Sequence, residues 1–193
     1  MKKIILLLTV ILLASCGTQK ATTEKEASVA QPEVPATPEP PKTPVLVNGH
    51  LSGVQTKDAF MQEPFSTWFT PRYSAYSLDE ETKNTLADAM KDVEIRAYMG
   101  TWCGDSKRET PMFYKLLDEV GFKEKNLTLI TVDRSKSKPE ELVSGYNVVR
   151  VPTFIFYRGG QEIGRYVERP RESLEKDILK IVTGVPYKHS YDN

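Results

Sequence analysis

The sequence predicts an α/β fold: a central mixed sheet flanked by helices, with an extension on its N-terminal side. Apolar, β-rich runs over residues 93–99, 127–133 and 154–157 alternate with stretches of helical periodicity. Gly159-Gly160 then joins the third run to a fourth at 162–167, which is the pattern of a hairpin ending in an edge strand. An amphipathic stretch over 171–182, with Leu174, Ile178 and Ile181 on one face, closes the series before Gly184. The order β-α-β-α-β-β-α therefore covers about residues 93–182. Such alternation calls for a sheet covered on both faces, with its first two strands parallel through a right-handed crossover.

Residues 1–16 stand apart from that fold. Lys2 and Lys3 precede an apolar run over 4–13 that is too short to span a bilayer as a stable helix, so a cleaved export signal is expected. The segment Leu13-Ala14-Ser15-Cys16 resembles the lipobox of bacterial lipoproteins. That resemblance implies Cys16 as the lipidation site, carrying palmitate-type chains. It implies a membrane partner reached through the anchor, and a place in the cell envelope facing the periplasm or the exterior. With Cys16 lipidated, Cys103 is the remaining free thiol and no intrachain disulfide is possible.

Residues 17–44 read as a disordered tether of Thr, Glu, Lys, Ala and Pro, which cannot build an apolar core and whose prolines favour extended backbone. Residues 45–89 form an N-terminal extension packed on the main domain. Val45-Leu46-Val47 and Asn48-Gly49 suggest a short strand and turn. Lys57 to Met61 suggest a turn of helix stopped before Pro64. Phe65, Trp68, Phe69, Tyr73 and Tyr76 make an aromatic patch that serves either packing or a partner surface. Ser77 is expected to cap the next helix, with Glu80 as its capping-box partner and Leu86, Ala89 and Met90 on its apolar face.

The main domain is expected over 90–185. Val93, Ile95, Ala97 and Met99 alternate in a strand that leads straight into Trp102 and Cys103. A helix runs from Cys103 to about Val120, with Met112, Phe113, Leu116, Leu117 and Val120 on one face. Pro111 either kinks it or marks a joint of two helices at Thr110. The β-branched run over 127–133 is that of a strand covered on both faces. Pro139 opens a short helix, and residues 186–193 form a polar tail.

Composition excludes some classes. Lys+Arg and Asp+Glu both number 26, so the net charge is zero and nothing points to nucleic acid. His50 and His189 fall outside the core pattern, where a loop and a tail are expected, so no metal site or cofactor is foreseen. No oligomeric state is assigned.

Four features in order resemble the thioredoxin superfamily, and more closely the thioredoxin-like lipoproteins and envelope proteins of bacteria. They are Trp102-Cys103-Gly104-Asp105-Ser106, Pro111 eight residues after Cys103, Val151-Pro152-Thr153, and Gly159-Gly160. The resemblance covers about residues 90–183. It implies a thioredoxin-like fold with Pro152 as a cis-proline facing Cys103. It also implies thiol–disulfide exchange on a thiol- or disulfide-bearing protein or a small thiol.

The sequence departs from the family at two linked places. Ser106 stands where the second redox cysteine would be, and Ala97, six residues before Cys103, stands where the family has a buried proton-transfer carboxylate. A dithiol cycle needs a second thiol to resolve the mixed disulfide. The candidate catalytic set is therefore Cys103, Ser106, Trp102 and Pro152, supported by Gly104, Asp105, Lys107, Val151 and Thr153. The helix start and Lys107 favour the Cys103 thiolate and Asp105 opposes it, while the Ser106 hydroxyl is placed to donate to it. Single-thiol exchange is one reading. A non-catalytic peptide- or protein-binding module is the other.

Overall fold

The computed structural model describes residues 39–41 and 43–192. The expected signal peptide with Cys16, and residues 17–38 of the tether, lie outside them.

A small hairpin of β1 (Leu46–Val47) and β2 (His50–Leu51) comes first. Its turn residues Asn48 and Gly49 have φ of 52° and 77°, the left-handed pair that a two-residue hairpin turn requires. Next come β3 (Gly53–Gln55), α1 (Lys57–Phe60), α2 (Ser66–Ala75) and α3 (Glu80–Ala89). The main domain continues with β4 (Val93–Met99), α4 (Gly104–Glu119), β5 (Leu127–Thr131), α5 (Glu140–Val143), β6 (Thr153–Arg158), β7 (Gln161–Val167) and α6 (Leu174–Thr183). The sheet order is β3-β5-β4-β6-β7, with β4 and β5 parallel and the other pairs antiparallel. This is the expected mixed sheet.

The pleat divides the core. Val93, Ile95, Ala97 and Met99 of β4 point to the layer holding α4 and α6, together with Phe154, Phe156 and Tyr166. Tyr98, Ile130, Ile155 and Tyr157 point the other way, onto Leu142 and Val143 of α5. The helix through Pro111 is one continuous element, which decides against two helices meeting at Thr110.

Several details differ from the sequence-based expectations. Residues 53–55 add an edge strand to the main sheet, pairing Val54 with Ile130. Asp79, not Ser77, caps α3: its carboxylate accepts from Thr82 N at 2.8 Å. Asp is as good a cap as Ser, and here it sits one residue before the helix. The closing helix starts at Leu174 behind the Ser173 cap, because the buried Asp177 carboxylate takes the Arg171 and Glu172 amides and holds them out of the helix.

The aromatic patch is packing. Phe69 is fully buried, stacked between Phe60 and Tyr73, and α2 lies against α4. The tail folds back on the domain: the Tyr187 hydroxyl donates to Asp177, Ser190 donates to the Arg169 carbonyl, and the Tyr191 hydroxyl donates to Glu168. His189 is accordingly part-buried there, 3.1 Å from Asp192, and burial lowers its pKa.

Candidate functional site

Three chain segments converge at the C-terminal end of β4. Cys103 is the N-cap of α4 and is half-buried, with extended φ and ψ of −91° and 129°. Its amide bonds Gly100 O at 2.9 Å and its carbonyl takes the Lys107 amide at 3.0 Å, so backbone on both sides fixes the thiol at the helix start. The Cys103 thiol donates to the Val151 carbonyl at 3.3 Å. The Val151–Pro152 peptide is cis, and the Thr153 hydroxyl donates to Arg150 O at 2.7 Å, closing the turn that presents Val151. Cys103, Val151 and Pro152 therefore form one site, in which Cys103 is partly exposed and Val151 and Pro152 are buried.

Trp102 lies beside this site. The indole N–H donates to Val132 O at 2.8 Å, and the Arg134 guanidinium lies 5.3 Å from the ring centroid. Val132 leads into a tight loop ordered by Asp133, whose carboxylate accepts from the Ser137 and Lys138 amides and from the Ser135 hydroxyl. Burial raises the Asp133 pKa, but these hydrogen bonds outweigh it and hold the carboxyl below its usual range.

Two candidates sit differently from expectation. Ser106 is fully buried, and its oxygen accepts the Gly100 amide at 3.2 Å. Among the described residues no hydrogen bond joins it to Cys103, because the third residue of the helix turns its side chain inward beneath the loop. Lys107 reaches away from the thiol and lies over the Trp68 ring at 5.9 Å. Asp105 is held by Arg108 at 2.7 Å, which offsets its charge beside the thiol. Gly104 has open space where a Cβ would stand, so sterics do not demand glycine there.

Sequence reasoning passed over Gly100, Thr101 and Glu109. Thr101 is buried, accepts the Leu51 amide at 3.3 Å and lies 3.3 Å from the His50 ring, tying the N-terminal hairpin to the cysteine loop. Glu109 is a buried carboxylate on α4, bound by Arg108 at 2.7 Å and by the Tyr166 hydroxyl at 2.8 Å. Burial, then the Glu109 charge, pushes the Tyr166 hydroxyl far above its usual range, so it serves as a neutral donor.

A glycine two residues before a tryptophan was the available signal for Gly100. A Cβ there would stand 2.4 Å from Trp102 Cε2 and 2.6 Å from Nε1. Gly100→Ala is expected to expel the indole, break its bond to Val132 and cost about 1–3 kcal/mol. The indole N–H resonance of Trp102 and a denaturation curve check this, and an unmoved resonance would refute it.

A thioredoxin family model matches residues 75–180, more than half of the chain. The chain belongs to the thioredoxin family. Thioredoxin H9 of Arabidopsis thaliana is 29% identical over 109 residues, covering 55% of this chain and 74% of that protein. Thioredoxin of Mus musculus is 30% identical over 101 residues, covering 52% of this chain and 90% of its own length. Among solved structures, a Pseudomonas aeruginosa protein of unknown function shares the fold, with TM-score 0.50 and 14% identity over 69% of this chain and 94% of its own.

At the level of the family, the chemistry is thiol–disulfide oxidoreductase-like and the substrates bear thiols or disulfides. In this thioredoxin-family chain Ala97 is fully buried among apolar side chains, and Cys103 is the sole cysteine among the described residues. Those residues contain no cluster of three or more His, Cys, Asp or Glu placed to hold a metal ion. None of their helices is long and apolar enough to cross a membrane.

Proposed function

We propose that this thioredoxin-family protein exchanges disulfides through one thiol, Cys103, while held at a bacterial envelope membrane by a lipid on Cys16. The observation that carries the reading is the contrast between two positions in one loop. The Cys103 residue is partly exposed, and its sulfur lies 3.3 Å from Val151 O. The position of a resolving thiol holds Ser106, buried and engaged with Gly100.

The Cys103 thiolate attacks a partner disulfide. One partner sulfur bonds to Cys103, and the other leaves as a thiolate that takes a proton from solvent. Ser106 cannot resolve the product, so the mixed disulfide persists until an outside thiol attacks it and restores Cys103. The Val151 backbone, beside Cys103, is positioned to pair with an extended partner segment. The signal segment, the Cys16 box and the proline-rich tether support the envelope location.

The test uses the full chain. Incubation with a peptide disulfide is expected to add one peptide mass at Cys103, stable to gel filtration and removed by excess thiol. Cys103→Ser abolishes the adduct. In the producing cell, Cys16→Ser is expected to move the protein from the membrane pellet to the soluble fraction. Peptide binding with no adduct in the parent chain would assign the groove to binding alone.

A further inference from the structure

We infer that the groove at Cys103 selects disulfides flanked by acidic residues, and that Arg134 is the side chain that meets the acid. The inference names a substrate class for the exchange proposed above and rests on it.

The charges around the thiol are unevenly committed. Asp105 is paired with Arg108, and Glu109 with Arg108 and the Tyr166 hydroxyl. Asp133 is spent on its own loop, accepting from the Ser137 and Lys138 amides at 2.9 and 3.0 Å. Glu168 takes Arg150 at 3.3 Å and the Tyr191 hydroxyl. Arg108 is thus shared by two carboxylates, and Asp133 keeps its charge while its oxygens are turned to its own loop.

The cations differ. Arg134 is exposed and lies over Trp102, the residue next to Cys103, and among the described residues it has no carboxylate partner. Lys107, on the first turns of α4, has only the Trp68 ring. The Asp133 loop presents Arg134 in a set position, with Lys136 donating to the Arg134 carbonyl at 3.0 Å. A guanidinium spread on an indole keeps its edge free for a carboxylate, and holding it in place beforehand lowers the cost of binding.

Arg150 and Thr153, which flank Val151 and Pro152 in sequence, line an open cleft of about 470 Å³. Its carboxylates, Glu162 and Asp192, face Arg165 and His189. An acidic segment laid beside Cys103 therefore meets an exposed cation at Arg134 that holds no carboxylate among the described residues.

The chemical step is the exchange given above, with the acidic peptide supplying the disulfide. The bond between its two sulfurs breaks, the Cys103–peptide S–S bond forms, and the leaving sulfur takes the proton. No net oxidation occurs.

The experiment uses the full chain carrying Cys16→Ser, so that Cys103 is its one thiol. Three peptides, each holding one cysteine as a neutral 2-thiopyridyl disulfide, differ only in acidic, neutral or basic flanks. Adduct formation is followed by intact mass. At low ionic strength the acidic peptide is expected to react about fivefold faster than the basic one, and the ratio falls toward one in about 1 M salt. Arg134→Ala brings the ratio below about twofold, and Arg134→Glu reverses the preference, which loss of loop structure would not do. Equal rates in the parent chain, or a preference that survives Arg134→Glu, would overturn the inference and leave single-thiol exchange standing. No adduct with any of the three would remove the exchange reading itself.

Discussion

Converting Ser106 to cysteine is expected to give a chain that oxidises to an internal disulfide and resolves its own mixed disulfide, where the parent chain needs an outside thiol. Position 106 is the third residue of α4, and Cys103 is the residue that caps it. Residues three apart at a helix start fall within the Cα separation a disulfide spans, about 5.5 Å. The Ser106 side chain already points beneath the loop that carries Cys103 and is shielded from solvent. In a Cys16→Ser background, mild oxidation should lower the mass of the Ser106→Cys chain by two hydrogens and block alkylation at both thiols. With a dithiol reductant present, the variant should then catalyse reduction of a protein disulfide above the rate of the reductant alone. Turnover should stay slow and rise as the solution is made more alkaline. The resolving thiol must lose a proton, and Ala97 offers no carboxylate to take it, so solvent has to. An oxidised variant that keeps both thiols would show the 106 side chain out of reach of Cys103.

The fold was legible where the chain carries strong periodic signals. β4 alternates, β5 and β6 are nearly continuous runs of apolar and β-branched residues, and the Gly159-Gly160 turn takes positive φ at both residues as such hairpins require. α4 was legible through Phe113, Leu116 and Leu117, all buried on one face. The three-residue β3 was not, because Gly53-Val54-Gln55 has no local signal and becomes a strand only by pairing with β5, far along the chain. The folded-back tail was hidden for the same reason: Tyr191 is ordered by Glu168, Arg150 and Arg169, none adjacent in sequence.

At the site, residue types were readable and directions were not. The sequence put Cys103, Ser106 and Lys107 within about one helical turn, but three side chains on a turn point three ways. Cys103 faces Val151, Ser106 faces Gly100 and Lys107 faces Trp68. The buried Glu109 lay in the expected helix without a mark, because its hydroxyl partner Tyr166 is on β7, far along the chain.

Phe113→Ala is expected to be among the most damaging single changes to the folded domain. Phe113 is fully buried on α4, stacked on Phe154 of β6 at 4.0 Å between centroids with an 11° interplanar angle, and edge-on to Phe156. Phe154 stacks in turn on Tyr166 of β7 at 5.4 Å. Truncation loses the transfer free energy of the ring, leaves a cavity and breaks the aromatic column, at a cost of about 3–5 kcal/mol. Against a typical total of about 5–15 kcal/mol, that is a large share, and it corresponds to a midpoint lower by roughly 10 °C. Phe113→Leu refills most of the space and should cost about 1.5 kcal/mol or less. The stack also has a functional consequence, because the two elements it joins carry the two sides of the groove. α4 holds Cys103 at its start, and β6 begins at Thr153, directly after Pro152. Loosening helix against strand lets the Cys103 sulfur drift from the Val151 carbonyl. Adduct formation by Phe113→Ala, measured well below its melting point, should therefore slow together with the loss of stability, while Phe113→Leu keeps the parent rate. Urea titration reads the first effect and intact mass the second. A Phe113→Ala chain as stable as Phe113→Leu would mean that the Phe113–Phe154 contact does not clamp the groove.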